Sequence, residues 1–548
     1  MRQWIVRGVA GLLLLGCLLG VGFVFRMEIA VGLLSFLVGG DRNEDIRANQ
    51  PIVWSASNDP MANASADRSP NIVLILADDL GWNDLTFGGG GVAGATVPTP
   101  NIDSLGEQGV AFTNGYAANG TCAPSRAALL SGRYATRFGF EFTPMPDAMR
   151  SVASFVSPGP EEGGDEVPIP YAQQGMPASE ITIAELLQHR GYHTAHIGKW
   201  HLGQEDGMAA HEQGFDESLL MASGLYLPED HPNVVNSKQP FDTIDMILWA
   251  ILDHAASFNG GAVFAPGKYL TDYYTDEAVK VIEANKDRPF FLYLAHWAPH
   301  SPLQATKADF DALSHIELHR ERVYAAMIRA LDRGVGRVLD ALRENGLEDN
   351  TLVVFTSDNG GAGYIGLPHV NSPFRGWKIT LFEGGIHVPY FVKWPAKLAG
   401  GQIFDEPVHG FDFFSTAAAA AGAELPRDRK IDGVDLVAHV KGEVPGVPHE
   451  KLFWRSGVAQ STRVGDWKLN VSGPGKVWLY NLAADPSEQT NLAQTRPDKL
   501  AELQTALAQH NAEQAKPLWS SVTTLSINLD RDLSASAEPG EEYSLWSN

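Results

Sequence analysis

Cysteine is nearly missing from this chain: 548 residues contain two, Cys17 and Cys122. Cys17 falls in an apolar N-terminal run, so no structural disulfide is expected and Cys122 has no evident partner. Positive charge is also scarce, with 41 Lys and Arg against 65 Asp and Glu for a net charge of −24. Nothing in the sequence resembles a basic stripe, which argues against nucleic acid as a partner. An anionic ligand must then be drawn in by a local positive pocket or a metal, not by the global field. Internal repeats and long low-complexity tracts are absent as well, which sets repeat architectures aside.

What is present describes a globular protein. Hydrophobic residues make up 44% and charged residues 19%, proportions far from those of a disordered chain. The length exceeds a comfortable single core, so one large domain and a smaller one are expected.

At the amino end Arg2 and Arg7 precede an apolar run from Gly8 to Phe25, and a second runs from Ile29 to Gly40. The first is just long enough to span a bilayer, and the basic residues before it place the bulk of the chain outside the cytoplasm. Residues 1–40 are therefore read as an uncleaved membrane anchor and the protein as extracytoplasmic, periplasmic or extracellular. A cleaved signal peptide ending near Val38-Gly39-Gly40 and a lipoprotein box at Leu14 to Cys17 are the rival readings. Residues 41–70, polar with scattered proline and asparagine, read as a linker.

Asn71 to Ala77 is a continuous β-branched and leucine run, the pattern of a strand buried on both faces of a largely parallel sheet. It ends in Asp78-Asp79, at the carboxyl end of the strand, where open α/β sheets place ligands. A second such strand, Thr351 to Thr356, ends in Ser357-Asp358-Asn359-Gly360. Two buried strands that each deliver paired oxygen ligands favour a hard divalent cation, calcium or magnesium rather than zinc.

Between them lies Cys122-Ala-Pro-Ser125-Arg126-Ala-Ala-Leu-Leu-Ser-Gly132-Arg133. Pro124 suits a first helical turn and Gly132 a left-handed stop, so Cys122 sits at or just before a helix N-terminus. Amides and dipole there favour an anion, and Arg126, one turn on, suggests a polyanionic partner. A thiolate nucleophile and a buried structural cysteine are both open on these residues alone.

The spacing C-x-P-S-R-x-x-x-L-x-G-R resembles the signature by which type I sulfatases, formylglycine-dependent members of the alkaline phosphatase superfamily, have a cysteine oxidised to formylglycine. The resemblance extends over about residues 71–507. N-I-V-L-I-L-A-D-D at 71–79, S-D-N-G at 357–360, G-K-W-H-L-G at 198–203, P-H-S-P at 299–302 and R-G-W-K with E-G-G-I-H-V-P at 375–389 all look like that family's motifs, with no departure at a catalytic position. It implies that Asp78, Asp79, Asp358 and Asn359, with an oxygen of modified residue 122, hold one divalent cation, in most of the family Ca2+, with Mg2+ the other candidate. It further implies Cys122 as the formylglycine nucleophile, Lys199 and Lys378 as sulfate contacts beside Arg126, and His201 as the partner of the aldehyde hydrate. His300 would be the general acid for the departing alcohol, with a pKa suited to that work; His296 is given a structural role and Glu383 an outside chance of a direct one. The implied reaction is hydrolysis of an aryl or carbohydrate sulfate monoester to an alcohol and inorganic sulfate, after maturation by a formylglycine-generating enzyme. A phosphonate monoester or phosphodiester hydrolase of the same superfamily is the alternative, and an unmatured sulfated-glycan binding protein a third.

The expected fold class is α/β: a large mixed, mostly parallel sheet flanked by helices, alkaline phosphatase-like, over residues 71–448. A smaller antiparallel sheet plus helix, with an L-x-x-D-P-x-E-x-x-N-L turn, follows over residues 449–520. Residues 521–548 read as an acidic, loosely ordered tail with an isolated Trp546. Phe241 to Phe258 reads as one amphipathic helix on the core or lining the cleft, in the region where substrate choice is expected to reside.

Overall fold

The computed structural model describes residues 46–57, 68–146, 150, 169–473, 475–531 and 538–548. The expected anchor at residues 1–40 lies outside the described residues. Among those described, no helix is long and apolar enough to cross a membrane.

Nine strands form the main sheet. In chain order they are β1 (Asn71–Asp78), β2 (Val110–Phe112), β3 (His193–Gly198), β4 (Glu217–Gly224), β5 (His254–Phe258), β6 (Phe290–Pro299), β7 (Thr351–Ser357), β8 (Tyr390–Lys393) and β9 (Gln402–Phe404). Across the sheet the order is β9-β2-β8-β7-β1-β6-β3-β4-β5. The central five, β7-β1-β6-β3-β4, run parallel, and antiparallel pairs join β8 to β7, β2 to β8 and β5 to β4. This is the large mixed, mostly parallel α/β sheet the sequence predicts.

The helices that bear on the site are α1 (Cys122–Ser131), α2 (Ile183–His189), α3 (Thr243–Ile251), α4 (Leu270–Ala284), α5 (His319–Glu344), α6 (Asp412–Ala420) and α7 (Pro497–Asn511). Residues along β1 alternate between the two faces. Val73, Ile75 and Ala77 pack with α4 and α5, whereas Ile72, Leu74 and Leu76 pack with α1, α2 and α6. Every residue of β1 is buried, so the strand that ends in the aspartates is held from both sides.

The C-terminal unit is a four-stranded antiparallel sheet, β10 (Lys451–Ser456), β11 (Ala459–Val464), β12 (Trp467–Ser472) and β13 (Val477–Asn481). Leu503 and Leu507 of α7 cover it through Leu469 and Leu479.

Two expectations are corrected. The single helix expected over Phe241 to Phe258 is α3 followed by edge strand β5, because β5 pairs with β4. The tail expected to be loose after Thr523 forms a hairpin, β14 (Thr524–Asn528) with β15 (Tyr543–Ser547). Ile527 and Trp546 pack into the main core, and Arg375 ties the hairpin down through Asp530 and Glu542. Burial of an aromatic side chain that looked isolated in sequence is what orders this segment.

Candidate active site

Neighbouring strands β1 and β7 end side by side, with Ala77 paired to Ser357, and so deliver their acidic residues to one point. Asp78, Asp79, Asp358 and Asn359 are all buried. Asp79 has a φ of 62°, a left-handed backbone that a non-glycine residue rarely adopts and that clusters at functional sites. Its N–H donates to Asp358 Oδ1 at 3.3 Å, and its Oδ1 accepts from Asn359 Nδ2 at 2.8 Å.

Cys122 is the first residue of α1, preceded by extended Thr121, and the helix stops at Gly132 with φ 71°. Pro124 therefore occupies the third helical position rather than the first, still inside the turn whose amides lack partners. The Ser125 hydroxyl accepts from Asn119 N at 2.7 Å and donates to Asn119 O at 3.0 Å, fixing the approach to the helix. Cys122 Sγ lies 3.5 Å from Asp78 Oδ1 and 3.9 Å from Asp79 Oδ1. Burial first, and then the Asp358 charge, push the thiol far above its ordinary range, which disfavours the thiolate.

Arg126, expected beside the sulfate contacts Lys199 and Lys378, does not line the cavity that they line. It is fully buried, donating from Nε to Asp358 Oδ2 at 2.9 Å, from one terminal nitrogen to Asp78 Oδ2 at 2.9 Å, and from the other to Lys199 O at 3.0 Å. A planar guanidinium suits this fork between two carboxylates. Arg126 is a positioning residue for the acidic cluster.

Strand β3 ends at Gly198, so Lys199 and His201 stand in the segment beyond it, and both line the cavity. Lys199 Nζ lies 2.6 Å from Asp78 Oδ2 and 4.6 Å from the ring centroid of Trp297. Burial would raise the Asp78 pKa, but Lys199 and Arg126 overcome it and hold the carboxylate below its usual range. His201 has φ 64°, and its buried Nδ1 has no hydrogen-bond partner. Burial and then Lys199 depress its pKa, keeping the ring neutral.

Strand β6 ends at Pro299 and delivers His300. Its Nδ1 lies 2.5 Å from Ser301 O, an acceptor only, so the ring hydrogen sits on Nδ1 and Nε2 is left bare. Nε2 lies 3.0 Å from Lys378 Nζ, which also donates to Asp79 Oδ2 at 2.8 Å and to Tyr364 OH at 3.1 Å. Burial and then Lys378 push His300 well below the ordinary histidine range; burial works to lower Lys378 as well, but Asp79 together with the neighbouring Cys122, Tyr364 and Asp78 raises it. His296 is buried with neither ring nitrogen bonded and does not line the cavity.

Glu383 lies elsewhere. It bonds Lys468 of β12 at 2.7 Å, His387 at 2.8 Å and the Tyr116 hydroxyl at 2.8 Å, so it joins the catalytic and C-terminal units. Sequence reasoning missed Tyr364, whose hydroxyl lies 3.2 Å from Asp79 Oδ2, and Trp297, which stacks on His300 at 3.8 Å. Neither stands in a motif used above, although Trp297 falls three residues before His300 in the same run.

Asp78, Asp79, Cys122 and His300 offer ligand atoms within 4.8 Å of one another, and the sequence reading did not include His300 in this group. The residues fit a divalent cation. Asn359 Oδ1 is buried without a hydrogen-bond partner, an orphan acceptor beside three carboxylates. Burial and the adjacent Asp78 push Asp358 up to about 6, the mark of a cluster with one negative charge too many. Hard oxygen donors of this kind suit Ca2+ or Mg2+.

Residues 70–423 match the family described as Sulfatase. The chain is 34% identical over 418 residues to N-acetylgalactosamine-6-sulfatase of Mus musculus, covering 74% of this chain and 73% of that one. It is 34% identical over 457 residues to the Mus musculus steryl-sulfatase, covering 72% and 69%. Among solved structures, Ps i-CgsB in complex with k-i-k-neocarrahexaose superposes with a TM-score of 0.68 at 31% identity, covering 82% of this chain and 95% of that one.

Proposed function

The chain belongs to the sulfatase family and hydrolyses sulfate monoesters to an alcohol and inorganic sulfate, and we propose that it does so through residue 122 after a maturation enzyme has oxidised that thiol to the formylglycine aldehyde. The observation that carries this reading is the approach of Cys122 Sγ to within 3.5 Å of Asp78, in a pocket also walled by Lys199, His201, His300 and Lys378.

The chain's own groups divide the work. Lys199 and Lys378 hold the sulfate oxygens and stabilise the charge that develops on them, which is where preorganised electrostatics contribute most. One hydroxyl of the hydrated aldehyde attacks sulfur, giving its proton to the carboxylate pair Asp78 and Asp79 beside residue 122, and the S–O bond to the alcohol breaks. The Lys378–His300 pair supplies the proton to the departing oxygen. His201, neutral and with Nδ1 unpartnered, accepts the proton of the second hydroxyl, so that the C–O bond to sulfate breaks and the aldehyde returns. A divalent cation, which we propose is Ca2+ held by Asp78, Asp79, Asp358 and Asn359, supplies Lewis-acid charge stabilisation when bound. Arg126 keeps two of those carboxylates in place. The basic residues and apolar runs of the N-terminal segment support an extracytoplasmic, membrane-anchored location.

Cys122→Ala tests the assignment. It should abolish turnover of an aryl sulfate while metal analysis still finds one bound dication; turnover by the variant would remove residue 122 from the chemistry. In the same assay an aryl phosphonate and a phosphodiester should be turned over far more slowly than the sulfate, and the reverse order would favour the phosphonate hydrolase alternative.

A further inference from the structure

A cavity of about 360 Å3 opens over Cys122, Lys199, His300 and Lys378. Away from those groups its wall is mostly hydrocarbon, with scattered polar residues such as Thr143, Tyr171, Gln204, Thr243 and Asn548 among the apolar ones. Ile244, Ile247, Leu248 and Ile251 of α3 line it together with Met221 of β4 and Trp546 of β15. The spacing of the four α3 residues puts them on one helical face, and Asp242 caps the start of that helix by accepting from Ile244 N and Asp245 N. An amphipathic helix ordinarily turns such a face to the core. Here the face is turned to the space beside the nucleophile.

The polar chemistry a sugar would need is thin there. Among the described residues lining the cavity, Lys199 and Lys378 are the cations, both beside the carboxylates, and no arginine, aspartate or glutamate side chain joins them. The Gln174 amide is already committed, accepting from Met145 N at 3.0 Å and donating to Ile169 O at 2.8 Å. The Ser223 hydroxyl accepts from Asp253 N at 2.7 Å. Sugar hydroxyls pressed against the α3 face would lose water without gaining partners, which is costly, whereas a hydrocarbon loses nothing there.

We propose that the alcohol half of the substrate is a bulky hydrocarbon, a ring system or long chain, seated on the apolar face of α3 with its sulfate on Lys199 and Lys378. This rests on the sulfatase reading and narrows it.

Binding to the metal-loaded Cys122→Ala protein tests it without turnover. Calorimetric titration with n-alkyl sulfates from ethyl to octyl should show affinity rising about fourfold per methylene, and N-acetylgalactosamine 6-sulfate should bind at least tenfold more weakly than octyl sulfate. Leu248→Ser in that background should flatten the chain-length series. Affinity independent of chain length, a series that Leu248→Ser leaves unchanged, or tighter binding of the sugar sulfate would each overturn the proposal. Should Cys122→Ala not fold, Cys122→Ser serves for the same series. Turnover by the matured protein reports separately on the parent reading: the predicted series without any sulfate release would sink the sulfatase chemistry, and the identification of a substrate with it, and leave only the cavity's preference for hydrocarbon.

Discussion

Lys378 Nζ lies 3.0 Å from the bare Nε2 of His300, so a lysine of one loop and a histidine at a strand end meet across a hydrogen bond in the cavity that Cys122 lines. Removing half of this pair should matter most when the departing alcohol most needs a proton. His300→Asn is expected to lower kcat on an alkyl sulfate by about 100-fold or more, and on 4-nitrophenyl sulfate much less. Initial rates on both substrates check it; equal losses would contradict a role in protonating the leaving group.

Arg126 answers two buried carboxylates at once, 2.9 Å from Asp78 and 2.8 Å from Asp358. Arg126→Met leaves Asp358 without its cation and Asp78 with Lys199 alone, and removing one partner of a buried ion pair costs about 3–5 kcal/mol. Chemical denaturation of the metal-free variant should show a loss of that order, and Ca2+ should restore part of it by supplying the missing positive charge. No loss in the metal-free protein would mean that the guanidinium does not hold the cluster.

Asp84 offers a test by pH. It accepts from Gly81 N at 2.7 Å and from the Tyr324 hydroxyl at 2.6 Å, yet burial pushes its pKa up from 3.8 to about 8. The protonated form is therefore favoured in the fold. Its contribution to stability is complete below the unfolded value and is lost as pH rises through about 8, at a slope of order 1 kcal/mol per pH unit between the two values. Asp84→Asn should make the decline in stability from pH 5 to pH 8 shallower. Parallel curves for the two proteins would contradict this account of Asp84.

Much of this was legible in the chain because the chemistry sits where local patterns end. The all-apolar runs before Asp78 and Asp358 gave the two buried strands, and their acidic termini gave the cluster. What sequence could not give is the direction in which a long side chain leans. Arg126 was expected to meet substrate, but helix α1 is buried on all sides, and its guanidinium turns inward to the carboxylates. The order of the chain after Thr523 was equally hidden, because it depends on Trp546 and Ile527 finding a core built by residues far away in sequence. Tyr364 escaped for the same reason: only the folded loops bring its hydroxyl to Asp79 and Lys378.

Mass spectrometry of the peptide containing residue 122, taken from protein produced alongside a formylglycine-generating enzyme, addresses the central assignment most directly when sulfate release is measured on the same preparations. The account predicts an aldehyde in place of the thiol, with activity proportional to the converted fraction. Full activity in protein whose Cys122 is an intact thiol would contradict it.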